Sequence, residues 1–332
     1  MEKTLHKSVQ LKQSRALQLV EKYWLLMFTL LVGIGAGILE PSFFRIGNLS
    51  SIVSTASITA VAACGVVYVQ AVGELDFSTG AIMSWSASMI VILLHQQYIT
   101  NYYVAVLVAL ASCLIGGLFN AFCHVILGIP AFLATLASAL VFRSFTLLIT
   151  DNTTIYKGKW DSEVFTFIGQ RRLFGVIPWT FIVFLFIAII MTFVLERARL
   201  GRSMYLVGGN PRACEYVGIS QRKYKLIAFL VCSFLCGVSG IMQASVANGG
   251  GVSSGDSYQL QTILVCILGA TFIKKGITNI PGAFLGSLLL TMIANAILLV
   301  GASNFMQYAA QGIVLLLAVL ISTRIRVSNE RA

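Results

Sequence analysis

Ten apolar runs separated by short polar segments leave this chain few ways to fold. They lie near residues 23–41, 51–72, 80–94, 103–127, 131–149, 178–195, 226–246, 257–273, 281–300 and 305–322. In hydrocarbon every backbone N–H and C=O must find a partner within the protein, which admits only helices and closed barrels. Barrel strands alternate apolar and polar residues over about 10 positions, whereas these runs are continuous and longer. The charged fraction of 11% is less than half of the roughly 25% usual in soluble proteins, so most of the chain faces lipid or buried protein. The expected fold class is an all-α polytopic membrane protein with about ten transmembrane helices.

A net charge of +11 raises the question of nucleic acid, and its distribution answers it. With the N-terminus inside, most Lys and Arg fall in cytoplasmic segments: the first 22 residues, the 196–225 loop, Lys274 and Lys275, and the last ten residues. Arg45, Lys157, Lys159, Arg171 and Arg172 fall outside, and Arg143 falls within a span. Such asymmetry orients helices in a bilayer; it places both termini in the cytoplasm and argues against nucleic-acid binding. No removed signal peptide is expected, because the first span lacks a small-residue cleavage site. Cysteines 64, 113, 123, 214, 232, 236 and 266 show neither CxxC nor zinc spacing, so they read as small apolar packing residues rather than disulfides or metal ligands.

The division expected is an N-terminal tail over 1–22, one membrane domain over 23–322 and a C-terminal tail over 323–332. The sizeable external loop, 151–178, is too small for a domain but large enough for docking. The run at 257–273 is near the lower length limit for a crossing and follows NGGGVSSGDS, so a bent or partly re-entrant segment fits there. Ile129–Leu133 echoes Ile280–Leu285, a match too short to establish a repeat.

The 196–225 loop contains a helix signature. Asn210 can cap a helix, Pro211 suits its first turn and Gly218 can end it. A short capped helix among basic residues on the cytoplasmic face is what a membrane subunit needs to be pushed by a soluble motor. The segment GELDFSTG over 73–80 puts Glu74 and Asp76 between two apolar runs. It is either a discontinuous helix lining a cavity or a cytoplasmic turn in which Asp76 or Ser78 caps the next helix. Arg143 must face protein or water, since a mid-span Arg costs at least ~2.5 kcal/mol against lipid; pairing with carbonyls or an acid between helices is favoured over a solute contact. Asn120, Gln243, Asn295, Gln307 and Gln311 are polar residues within spans, where interhelical hydrogen bonding is the commoner use. Gly33–Gly37 and Gly116–Gly117 read as close helix packing. The chain has no GxxxxGK[ST], HExxH or GxSxG, and its histidines are His6, His95 and His124; covalent catalysis has no support.

Taken together these residues resemble the ribose-type permeases of ATP-binding-cassette importers. Gly201–Ser203, Val207–Ala213 and Tyr216–Ser220 are similar to that family's signature loop. GELDFSTG resembles its G-x-I-D-x-S-x-G element, and IPAFLATLASALVFRSF its I-P-x-F-I-x-T-L stretch ending in an Arg, here Arg143. Gly237–Met242 resembles the segment after the cytoplasmic loop. The resemblance implies a type II-like importer permease in a bacterial inner membrane, working as a homo- or heterodimer. Cytoplasmic ATP-binding subunits would hold the ATP and Mg, leaving this chain without a cofactor, and an extracytoplasmic binding protein would deliver a monosaccharide or similar small polyol.

It also implies that Gly209, Asn210, Pro211, Arg212, Ala213, Glu215 and Gly218 form the coupling helix. Glu74, Asp76, Asn120, Arg143, Gln243 and Asn295 are the candidate path or gate residues. The chain departs from the pattern at Glu74, an additional carboxylate, and over Tyr258–Gln261 and 274–279, which leaves the solute open and fits a divergent branch. Nucleoside or branched-chain amino acid import is an alternative, the latter disfavoured by two nearby carboxylates. An ion-coupled secondary transporter using Glu74 or Asp76 is another, and a receptor or scaffold is a third.

Overall fold

The computed structural model describes residues 15–316 apart from 97, 157–162, 273–275, 304, 308, 311, 314 and 315. Lys157, Lys159, Lys274, Lys275, Gln311, His6, most of the tenth apolar run and the C-terminal tail lie outside the described residues.

Nine of the ten apolar runs are helices: α1 (Arg15–Leu39), α2 (Ile46–Ala71), α3 (Thr79–His95), α4 (Tyr102–Ala121, continued by a π-turn over Phe122–Ile126), α5 (Ala131–Thr150), α7 (Trp179–Glu196), α10 (Gln221–Ala247), α11 (Asp256–Gly269) and α12 (Ile280–Leu299). Six are long and apolar enough to cross a membrane, whereas the described apolar part of α1, Tyr23–Leu39, and α3 are shorter. Side-chain caps fix several starts. Asn101 accepts from the Tyr103 and Val104 N–H groups, and Asn279 accepts from Gly282 N–H with Pro281 in the first turn. Each cap satisfies an N–H that has no partner within the helix.

The core forms around α2 and α10. Nearly every α2 residue from Ala56 to Val69 is inaccessible, and α10 lies against α2, α3 and α4. Small residues allow this closeness: a Cβ on Gly65 would stand 2.7 Å from the Cys232 Cα. All seven cysteines are buried, six of them in the principal apolar cluster. By contrast α5 and α7 keep large apolar residues outside, among them Leu140, Leu148, Phe186 and Ile189. Contiguous exposed apolar faces of this kind call for lipid or a protein neighbour.

The described part of 151–178 carries more order than a loop. It contains β1 (Ile155–Tyr156), α6 (Glu163–Gln170) and the hairpin of β2 (Arg172–Leu173) with β3 (Ile177–Pro178). Strand β1 pairs antiparallel with β4 (Gly249–Gly250), just before α11. The 196–225 loop holds two helices, α8 (Arg199–Gly209) and α9 (Pro211–Tyr216). Of these, the capping signals announce only α9.

Candidate translocation site and coupling element

Two short helices, α3 and α11, begin side by side inside the protein. Gly80 and Gly255 are both buried, and a Cβ on Gly255 would meet the Gly80 carbonyl at 2.0 Å. The Gly255 N–H donates to Ser84 Oγ at 2.8 Å, and the Thr79 and Thr262 hydroxyls lie 3.3 Å apart. At ~1.5 Å per residue α11 spans only ~21 Å, less than a bilayer core. The short α11 follows directly on the glycine-rich lead-in.

A cavity of about 360 Å³ opens beside these two helix starts. Ala81 and Ser84 of α3, Arg143 with Leu136 and Leu140 of α5, and Asp256 with Gln259 of α11 line it. The Arg143 guanidinium Nη1 donates to both Asp256 oxygens, at 3.1 and 3.3 Å. Asp256 also sits in the first turn of α11, where the helix dipole favours a negative charge. The cavity therefore contains a positive charge already compensated by an acid from another helix.

The other candidates lie elsewhere, and none of them lines the described cavities. Asp76 is fully buried; its Oδ1 accepts from Ser78 N–H at 2.7 Å and Ser78 Oγ at 2.6 Å. Asn120 Nδ2 donates to the same Ser78 Oγ at 2.8 Å, tying α4 to this turn. Thr135 of α5 accepts from Phe77 N–H. So Asp76 and Asn120 come together in one buried network around Ser78, in which Asp76 Oδ2 and Asn120 Oδ1 have no hydrogen-bond partner among the described residues. Asp76 orders the entry to α3 through Ser78, whose own side chain makes no capping bond to the helix. Gln243 accepts from the Tyr258 hydroxyl at 2.7 Å, and Asn295 exchanges amide hydrogen bonds with Asn48 at 2.9 Å. Both join helices, the commoner use of polar groups within spans.

Glu74 joins the 196–225 segment through Lys225. Its Oε1 accepts from Lys225 Nζ at 2.6 Å and lies 3.0 Å from His124 Nε2. His124 Nδ1 is 2.8 Å from the Ile129 carbonyl. Burial alone would raise the Glu74 pKa, but the bonds from His124 and Lys225 outweigh it and hold the carboxyl below its ordinary value. One carboxylate thus joins the turn after α2, the end of α4 and the first turns of α10.

The candidate coupling segment is anchored on both flanks of α9. In α8, Gly201, Met204 and Val207 are buried, and the Tyr205 hydroxyl donates to Thr278 O. A Cβ on Gly208 would meet the Ala71 carbonyl at 2.3 Å, so the end of α8 rests backbone-on-backbone against the turn after α2. Asn210 Oδ1 accepts from Ala213 N–H at 3.0 Å, Pro211 opens α9 and Gly218 closes the turn at φ +70°. Gln221 Nε2 donates to the Pro211 carbonyl and to Glu215 Oε1, fastening α9 to α10. Gly209, Asn210, Pro211, Arg212, Ala213, Glu215 and Gly218 are all exposed, with Cys214 packed beneath.

The sequence reading missed Asp256, Gln259, Lys225 and His124 as members of these sites, and α8 as an element. Asp256 carried a usable signal, an acid opening an apolar run after a glycine-rich stretch. The spacing of Gly201, Met204 and Val207 carried one for α8.

Comparison with known proteins agrees with this architecture. The chain is 29% identical over 310 residues to the ribose import permease protein RbsC of Escherichia coli (strain K12), covering 92% of this chain and 94% of that protein. RbsC of Bacillus subtilis (strain 168) is 29% identical, with 86% and 88% covered. The L-arabinose transport system permease protein AraH of Escherichia coli (strain K12) is 26% identical, with 90% of each covered. No solved structure matches the chain significantly. The family described as branched-chain amino acid transport system / permease component matches residues 48–319, and this multi-pass helical membrane chain belongs to it.

Proposed function

We propose that this chain is the membrane-spanning permease subunit of an ATP-driven bacterial importer and carries a monosaccharide or similar small polyol. The observation that supports this solute class is the Arg143–Asp256 pair. A path for an amino acid must accommodate a carboxylate, for which a free guanidinium is the natural partner. Here that guanidinium is already neutralised. What the cavity offers besides is the neutral hydrogen-bonding set of Ser84 and Gln259, which suits hydroxyl groups. The names of the relatives, for ribose and for L-arabinose, point the same way.

In this reading the cavity is half of a path. Its other half comes from a second permease packed on the exposed apolar face of α5, where Leu133, Leu136 and Leu140 flank Arg143. Helix α9 docks on a cytoplasmic ATP-binding subunit, which holds the ATP and Mg. At six residues it spans only ~9 Å, enough for a lever contact. Because Gln221 fastens α9 to α10 and Glu74 fastens α10 to the turn before α3, displacement of α9 reaches the helix start beside the cavity. An extracytoplasmic binding protein selects the solute, so the path itself need not hold it tightly.

Uptake of labelled ribose into cells with and without this chain tests the reading. The expected result is uptake that requires the chain, falls with ATP depletion and is reduced by excess unlabelled pentose but not by leucine. Competition by leucine would overturn the solute assignment; sensitivity to a proton uncoupler at constant ATP would overturn the energy source.

A further inference from the structure

The cytoplasmic ends of α4 and α10 form a groove of about 570 Å³. Its α4 wall presents Leu118, Phe122 and Ile126, all exposed. A spacing of four puts them in one stripe ~12 Å long. Leu226 faces them from α10, and Arg222 and Lys223 close the groove at the start of that helix. Both are exposed, and neither forms an ion pair with a described residue. Lys225, a turn further on, is engaged by Glu74. The distribution of basic residues places this end of the groove at the cytoplasmic leaflet.

An apolar stripe running into the membrane from an unpaired double positive charge at its surface has the shape and polarity of a phospholipid. The net charge selects among lipids. A zwitterionic headgroup brings a cation of its own towards Arg222 and Lys223, whereas an anionic one does not. We infer that this groove is a binding site for an anionic phospholipid, its phosphate held by Arg222 and Lys223 and an acyl chain lying along Leu118, Phe122 and Ile126. Basic pockets between helices on the cytoplasmic side take such headgroups. The site borders α10 within a turn of the Glu74–Lys225 bond, so its occupant also steadies the helix that carries α9.

The test uses the full chain, purified with whatever subunits accompany it, and phosphatidylglycerol or phosphatidylcholine as probes. Native mass spectrometry should show phosphatidylglycerol retained in preference to phosphatidylcholine. The preference should be about fivefold for each charge, and so about 25-fold for the pair. Arg222→Gln/Lys223→Gln should abolish the preference, while Arg197→Gln/Arg199→Gln leaves it intact. A Phe122→Trp chain supplies an independent readout with both charges in place: its fluorescence should be quenched by brominated phosphatidylglycerol and not by brominated phosphatidylcholine. Equal quenching by both lipids would overturn the proposal. So would loss of an ATP-binding subunit from the Arg222→Gln/Lys223→Gln protein with its phosphatidylglycerol adducts unchanged, which would assign the two charges to a protein contact.

Discussion

Removing the Glu74 charge should loosen the protein in a way that depends on Lys225. At 2.6 Å and an effective dielectric of about 20, the gross attraction is about 6 kcal/mol. Desolvation opposes it, since the two side chains are each 19% exposed. Exposed pairs are worth about 0–1 kcal/mol, and breaking a fully buried pair costs about 3–5 kcal/mol; this pair lies between, at about 1–3 kcal/mol. Glu74→Gln keeps the shape and leaves Lys225 and His124 facing an amide. Lys225→Met removes the cation and keeps the packing of the stem. Equilibrium unfolding of wild type, both single variants and the double variant in mixed micelles gives the coupling energy directly. We expect about 1–3 kcal/mol, with the double variant close to the worse single. In the reconstituted complex, both single variants should retain ATP hydrolysis and lose uptake. Single-variant effects that add to within about 0.3 kcal/mol would refute the contact, and full uptake by both variants would refute its role in transmission.

Four further outcomes follow from the geometry. Because the folded Glu74 carboxyl titrates below its ordinary value, its stabilisation is complete above the unfolded pKa of about 4.3. It disappears as pH falls through the lower folded value, so acid titration of stability should show a loss that Glu74→Gln lacks. Gly208→Ala drives a methyl against the Ala71 carbonyl and should cost about 1–3 kcal/mol, whereas Gly209→Ala, with open space around its Cβ, should be tolerated; unfolding midpoints decide it. Asn210→Ala should cost about 1 kcal/mol of local stability and weaken retention of the ATP-binding subunit on purification, with Asn210→Ser close to wild type. Asp256→Asn should reduce uptake by freeing Arg143, and Arg143→Met/Asp256→Asn should recover part of it by making the cavity neutral again, measured with labelled ribose.

How much of this was legible depended on how local each signal was. Long apolar runs announced nine helices, because a continuous run has one way to satisfy its backbone in lipid. Asn210, Pro211 and Gly218 announced α9, because caps act within four residues. Contacts between distant segments were not legible. Arg143 asked for an acid, yet nothing along the chain pointed to Asp256, 113 positions away. Glu74 stood out as a carboxylate between spans, but its partner Lys225, 151 positions away, read only as one more cytoplasmic cation. Asp76 depended on tertiary packing as well: the same residues fit an open cavity or a turn, and only the hydrogen bond from Asn120 of α4 to Ser78 shows the buried network in which it sits. Helix α8 escaped notice because its glycines depress helix propensity while serving its close packing.

The central claim is that α9 is the cytoplasmic contact through which an ATP-binding subunit drives the path. Tyr216, 89% exposed at the end of α9, is the place to test it, since Cys214 is buried. A photoreactive amino acid placed at Tyr216 in living cells should form a covalent adduct with an ATP-binding protein, identified by peptide mass, and the yield should fall when Asn210 is replaced by Ala. An adduct formed instead with an extracytoplasmic protein would put this loop on the wrong side of the membrane and contradict the account.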